Sequence, residues 1–257
     1  MKDFATQRAQ VSLICGIAPD GGTSLLDRHV EWPWSLPRGY RRAGLTGPLT
    51  VLPQCAGAAL LPGDHWRHEV TVQAGGSVDL LSAGALMIHA DARRGRECCS
   101  DWTLRADRGA TLRHLADPNV LMSGAKMHQR ITLTLDVGAR AVLFDGFCRR
   151  DPAAPDAGGV WKSDLQVVRA DGHTLFRERQ HVTEADLIAL KALPGGMTAF
   201  GTVTLIGSAP FENGPLDLPD CYAAAGAARG GAGQILRIAA TTGGALDRAF
   251  RQIRTLI

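Results

Sequence analysis

The sequence predicts a mainly β protein, with stacked β-hairpins forming a β-helix or solenoid-like single domain over residues 1–257 and about two short helices, one at the C-terminus. Three observations lead there. A strand-turn-strand unit of about 30 residues recurs along the chain. Apolar residues within it fall at every second position. Helix signals are confined to two places.

The units run from Val70 to Ser82 (VTVQAGGSVDLLS), Trp102 to Asp117 (WTLRADRGATLRHLAD), Leu133 to Phe147 (LTLDVGARAVLFDGF) and Leu165 to Glu178 (LQVVRADGHTLFRE). Their turn glycines Gly76, Gly109, Gly138 and Gly172 lie 33, 29 and 34 positions apart. Alternation such as Leu133/Leu135/Val137 and Leu165/Val167 is the period of a strand with one buried face. Glycine supplies the positive φ that tight hairpin turns need, so each unit reads as a β-hairpin. A lone hairpin would expose its edges and its apolar face, so neighbouring units must stack. Periodicity leaves two arrangements open, a solenoid and an antiparallel sandwich with evenly spaced hairpins.

The first helix signal is Thr183 with Asp186, an acidic variant of the capping box, followed by Leu187, Leu190 and Leu193 and stopped by Pro194-Gly195. The second is C-terminal. Leu246, Ala249, Phe250, Ile253, Leu256 and Ile257 make one apolar face, with Arg248, Arg251 and Arg254 elsewhere, and the helix is expected to pack on the chain's own sheet. Arg149–Gly159 and Ala223–Gly233, rich in Pro, Gly and Ala, read as loops. Strand patterns resume beyond the first, so one domain is expected.

Apolar residues make up 45% and charged residues 21%, a balance that excludes a disordered chain. No run approaches the roughly 18 apolar residues of a membrane span. The net charge of +3 is small and dispersed, with short doublets at Arg41-Arg42, Arg93-Arg94 and Arg149-Arg150, so nucleic acid is not an expected partner. The apolar stretch Val11–Ala18 is preceded by Asp3 and Arg8 and lacks a small-x-small cleavage site, which favours the cytoplasm over secretion. The six cysteines do not have the spacing of a disulfide-stapled domain, and the adjacent Cys98-Cys99 pair closes no unstrained bridge, so reduced thiols are expected.

Chemistry is harder to find. Among the eight histidines the closest grouping is Asp64-His65-Trp66-Arg67-His68, and on a strand the odd separation puts His65 and His68 on opposite faces. Asp64, His65, His68 and His89 are the candidates for metal contacts. GxSxG and the P-loop are both absent, and Ser77 and Ser123 read as turn residues. Asp79, Asp117, Asp136, Asp145 and Asp171 lie in or beside the repeats and would serve the alternative reading, a β-solenoid carbohydrate-active enzyme with groove carboxylates. An aromatic content of 5% leaves few platforms for sugars, and the acids otherwise read as solvated turn residues, so an enzyme is not expected.

Taken in order, the same segments resemble the urease accessory protein UreD (UreH) family from about residue 47 to 257. Gly47-Pro48-Leu49 and the segment ending Gly63-Asp64 are similar to the family's "GPL … GGD". Leu80–Asp91 keeps Gly84-Ala85 of its next stretch, and Gly109–Ala125, with Gly124, resembles "GAxLEWLPQExIxFxGA". Gly172 with Glu178-Arg179 matches a "GxPLxxER" pattern, Leu187–Gly207 resembles "LLxxPxGLGGxxVxGTLLLxG", and the closing ILRIAATTGGALDRAFRQIRTLI is similar to the family's C-terminus. Departures are the reduced segment Cys55-Ala56-Gly57 … Gly63-Asp64, which lacks the family's His and most of its glycines, and Leu86-Met87-Ile88-His89 in place of "KFYR".

The resemblance implies a divergent, non-enzymatic scaffold with a β-helix-like fold. It would bind apo-urease together with a UreF-like protein and a UreG-like GTPase, and conduct nickel(II) internally without holding a stable cofactor. It leaves room for a homodimer within that complex. Gly63, Asp64, Gly84, Ala85, Gly124, Glu178 and Arg179 are the positions it marks as structural or partner-facing.

Overall fold

The computed structural model describes residues 8–92, 95–150, 159–192 and 194–257. The chain enters through β1 (Val11–Ile17) and β2 (Thr23–Val30) and passes five short strands, β3 (Trp34–Ser35), β4 (Tyr40–Arg41), β5 (Leu49–Val51), β6 (Gln54–Cys55) and β7 (Ala59–Leu60). It continues through β8 (His65–Val72), β9 (Ser77–Leu81), β10 (Met87–Ile88), β11 (Cys98–Ala106), β12 (Thr111–Leu115), β13 (Asn119–Leu121), β14 (Ala125–Leu135), β15 (Arg140–Arg149), β16 (Gly159–Arg169) and β17 (Thr174–Val182). Helix α1 (Glu184–Lys191) follows, then β18 (Ala199–Ile206), β19 (Gly214–Leu216), β20 (Cys221–Ala227), β21 (Gly233–Ala240) and helix α2 (Gly243–Arg254).

Mainly β structure with two helices, one C-terminal, is what the sequence predicts. The units differ from the prediction in one respect. The glycine turn of each of the first three carries the chain from one sheet to the other instead of pairing the unit's two strands. The first sheet has the order β17-β16-β14-β11-β8-β1-β2 and the second the order β19-β20-β21-β18-β15-β12-β9-β5-β4. Successive units pair in parallel, β8 with β11, β14 and β16 on one side and β9 with β12 and β15 on the other. Short β7, β10 and β13 form a third parallel ladder. Of the four units only the last, β16–β17, is an antiparallel hairpin. The reason is packing. Two strands with one apolar face each can turn those faces towards each other only if they lie in opposed layers.

Parallel register links His65 with Cys99, Cys98 with Met127 and Ala125 with Gly159, offsets of 34, 29 and 34 residues. The turn residues with positive φ are Gly75 (71°), Gly109 (64°), Gly138 (72°) and Gly172 (88°), spaced by the same offsets. Gly75, not its neighbour Gly76, is therefore the first member of the series.

Three apolar clusters result. The largest fills the space between the sheets, with Val11, Leu13, Val70, Leu104, Leu112, Leu133 and Val167 among its members. A second lies between the outer side of the second sheet and α2, whose Leu246, Ala249, Phe250 and Ile253 are buried there as expected. A third, around Trp161 and Phe147, closes the end under the short ladder and takes Leu187 of α1. The capping box of Thr183 and Asp186 is present, and Thr242 caps α2 by accepting from Ala245 N. Leu256 stays 58% exposed.

The segment Ala223–Gly233 is corrected. Its first half belongs to β20, hydrogen-bonded to β19 on one side and β21 on the other, and only residues 228–232 turn. Alanine and glycine carry no local strand signal, so pairing on both edges imposes the extended form. Most of the predicted loop Arg149–Gly159, together with Leu193 and Arg93-Arg94, lies outside the described residues. All six cysteines are free thiols, and among the described residues no helix is long and apolar enough to cross a membrane.

Candidate functional site

Alternation assigns each strand of the first sheet a set of inward residues, and most are apolar. One cross-strand row is not. Ser100 (β11), Gln129 (β14), Ser163 (β16) and Gln180 (β17) are direct register partners. Strands stack along the axis of the coil, so this row runs along that axis. Asp145 (β15) and Thr202 (β18), register partners themselves, face it from the second sheet, with Arg237 (β21) next in line.

Hydrogen bonds join the two sides. Gln129 Nε2 donates to Asp145 Oδ1 at 2.7 Å and Ser163 Oγ donates to Oδ2 at 2.6 Å. Gln180 Nε2 donates to Glu178 Oε1 at 2.7 Å and to Thr202 Oγ1 at 2.9 Å. Arg237 donates to Glu178 and, at 3.2 Å, to Thr202 Oγ1, and its side chain is 51% exposed. A polar file thus leads from the middle of the core to the surface.

Burial pushes the Asp145 carboxyl above the usual carboxylate range, and the Glu178 charge adds to that; the hydrogen bonds from Ser163 and Gln129 oppose it. Glu178 Oε2 is buried with no hydrogen-bond partner among the described residues. Both carboxyls line a gap of about 10 Å³, together with Ser163, Gln180 and Thr202. One water needs roughly 10–15 Å³, so the gap is sized for a single small species. Glu178 Oε1 is engaged by Arg237 and both Asp145 oxygens accept hydrogen bonds, so Glu178 Oε2 is the acceptor in this gap left without a partner among the described residues.

Gln129 also lines a larger cavity, of about 110 Å³, bounded by Trp34, Trp66, His68, Trp102 and His114. His68 and His114 sandwich Trp102, with ring centroids 3.9 Å and 4.4 Å away. Neither ring nitrogen of His68, nor Nδ1 of His114, has a hydrogen-bond partner among the described residues. Burial is the main cause that pushes their pKa values down, to about 3 for His68 and about 4 for His114. The backbone of Asp101 opposes the shift at His68, and the Arg254 charge adds to it at His114. Both rings are therefore neutral near pH 7, and each keeps one imidazole lone pair.

This has a measurable consequence. Each ring has a folded pKa below its unfolded value near 6.5, so the stability tied to its neutral form is complete above that pH and is lost as pH falls towards 4. Urea unfolding between pH 7.5 and 5.0 is expected to show stability falling with pH. His68→Phe, which keeps the stack on Trp102, should reduce the slope by up to about 1.4 kcal/mol per pH unit in the lower half of that window. Identical slopes for the two proteins would contradict a buried neutral His68.

The metal candidates Asp64, His65, His68 and His89 are not brought together, and no group of three His, Cys, Asp or Glu side chains converges as a metal cage among the described residues. His65 is on the outer face, 2.6 Å from Asp101, while His68 is in the core, the opposite-face placement that their spacing predicts. Asp64 accepts from Leu61 N in a turn, and the His89 carbonyl accepts from the Cys98 thiol. Of the family-marked positions, Gly63, Gly84 and Gly124 hold positive-φ turns, and Ala85 lines the larger cavity. Glu178 is in the polar file, and Arg179 pairs outward with Asp164 at 3.3 Å. The repeat acids other than Asp145 have structural roles: Asp79 pairs with Arg113, Asp117 with Arg254, and Asp136 and Asp171 cap their own turns. Sequence reasoning missed His114, Gln129, Ser163, Gln180 and Thr202. The available signal was a polar residue at an inward position of an otherwise apolar alternation, as with Gln129 between Met127 and Ile131.

The model of the family described as UreD urease accessory protein matches residues 7–257. The chain belongs to the UreD family. The match begins ahead of Gly47, where the motif resemblance starts. Among relatives, urease accessory protein UreD 3 of Bradyrhizobium sp. is 30% identical over 95% of this chain and 89% of its own length. UreD 1 of Methylorubrum populi is 27% identical, covering 98% and 87%, and UreD of Mycolicibacterium smegmatis is 28% identical, covering 89% and 83%. This UreD family chain is a urease accessory protein, and the carbohydrate-enzyme alternative has no support in the pairing of its acids.

Proposed function

We propose that the chain is a non-enzymatic cytoplasmic scaffold, acting as one domain, that assists nickel insertion into apo-urease in complex with a UreF-like protein and a UreG-like GTPase. Nickel(II) is cargo and passes through the core without a stably bound cofactor. The observation that carries the reading is the in-register polar file. A core that lines up Ser100, Gln129, Ser163 and Gln180 across four strands forgoes apolar packing at each, and leaving the buried Glu178 Oε2 without a partner costs about 1–3 kcal/mol more. Neutral imidazoles at one end and carboxylates at the other suit a borderline divalent ion. Exposed Trp32 and Tyr222, at 82% and 58%, supply the apolar contacts a scaffold needs.

The test is co-expression of urease subunits and UreF-like and UreG-like proteins with and without this chain, tagged for purification. A stable complex, with nickel-dependent urease activity lost on omission, is the expected outcome. Unchanged activity and no co-purification would refute the role.

A further inference from the structure

The two sheets do not end together. Contacts of Glu178 with Arg237 and of Gln180 with Thr202 place β17, the last strand of the first sheet, over β18 and β21 of the second. The second sheet continues through β20 and β19 with no strand of the first sheet opposite them among the described residues. β17 is the last strand of its sheet; the turn Arg229–Gly231 touches it, and beside the rest of its edge there is consequently a shelf.

The surface of that shelf follows from register. Arg237 points to the β17 side, so its partner Ala224 does too, as do Tyr222 and Gly226 by alternation along β20. Ala223 and Ala225 point the other way, onto the cluster under α2. Tyr222 and Ala224 are exposed, and alanine and glycine leave the room above them unfilled. The groove at the β17 end, about 610 Å³, is lined by Arg177, Arg229, Arg237, Phe176 and Ile235 among others, and Glu178, engaged by Arg237, is the one carboxylate on it among the described residues. It is both apolar and basic.

Long free edges are normally blunted or covered. The opposite edge, β2, is tied to a neighbouring segment: Arg28 donates to the Leu36 and Pro37 carbonyls at 2.8 Å, and Arg41 donates to the Thr23 carbonyl at 2.9 Å. At the ends of the second sheet, β19 has three residues and β4 two. β17 has nine, and the exposed face of β20 beside its edge carries Ala224 and Gly226.

We propose that the β17 edge receives an extended acidic segment of a partner protein as an added strand. The segment's backbone pairs with β17, its inward side chains rest on Ala224 and Gly226, and its carboxylates meet Arg177 and Arg229. This is independent of nickel transit and does not rest on it.

The probe is a fluorescein-labelled ten-residue peptide alternating valine and glutamate, with a valine–lysine peptide as its counterpart, titrated against the full chain while amide hydrogen exchange is followed. The expected result is saturable binding of the acidic peptide with slowed exchange at β17. Ala224→Trp, at an exposed position that tolerates it, should weaken binding at least about tenfold by filling the shelf. The double variant R177E/R229E should do the same and let the lysine peptide bind. Thermal melts check that both variants fold. No binding, equal binding of the two peptides, or protection at β2 in place of β17 would each overturn the proposal.

Discussion

Phe250→Ala is expected to lower the unfolding free energy by about 3–5 kcal/mol, the range for truncating a fully buried phenylalanine. Phe250 is inaccessible to solvent and meets Phe144 edge-on, with centroids 5.0 Å apart. The backbone beneath it is shaped to receive it. A Cβ at Gly201 would come within 2.7 Å of the Phe250 ring, and one at Gly146 within 2.7 Å of the Phe200 carbonyl. Removing the ring leaves a cavity bounded by two glycines that have no side chain to fill it. Docking of α2 also fixes Arg254, which donates to the Leu115 and Ala116 carbonyls at 3.0 Å and 2.8 Å, so the loss should spread to the coil. Urea unfolding monitored by near-ultraviolet circular dichroism measures it. A change under about 1 kcal/mol would mean that the helix contributes little to holding the second sheet.

Asp145→Asn tests the polar file at its most buried charge. The amide is nearly isosteric. Its oxygen still accepts from Gln129, and its NH₂ can donate to Ser163, whose hydroxyl rotates to accept. Stability should therefore change by no more than about 1 kcal/mol. The substitution removes the carboxylate past which nickel(II) is proposed to move, and nickel-dependent activation of urease in the co-expression assay is expected to fall about 10–100-fold, the usual range for removing a group that tunes metal contacts. Asp136→Asn, on a turn that only caps Val137 N, is the control and should activate like the wild type. Full activation by a folded Asp145→Asn protein would exclude transit past this carboxylate.

Much of this protein is local in origin. The period of two along Leu133–Leu135 and Leu165–Val167, the acidic capping box at Thr183, the apolar face from Leu246 to Ile253 and the opposite faces of His65 and His68 each depend on residues within a few positions of one another, so the sequence alone determined them; Val137, expected to continue the first alternation, lies 68% exposed in the turn beyond β14. The same applies to the motifs that resemble the UreD family. What tertiary structure decided is non-local. A glycine turn with positive φ serves equally to close a hairpin or to cross between sheets, and only the apolar faces packing against each other select the crossing. Ala223–Ala227 becomes a strand because β19 and β21 pair with it, not because of its own side chains. Above all, Ser100, Gln129, Ser163 and Gln180 are scattered polar residues until offsets of 29 and 34 residues in the parallel pairs, and the β16–β17 hairpin, bring them into one row. Alternation repeats every two residues and carries no information about which residue lies one coil away; that register is set by coil length and by strand pairing across the whole core.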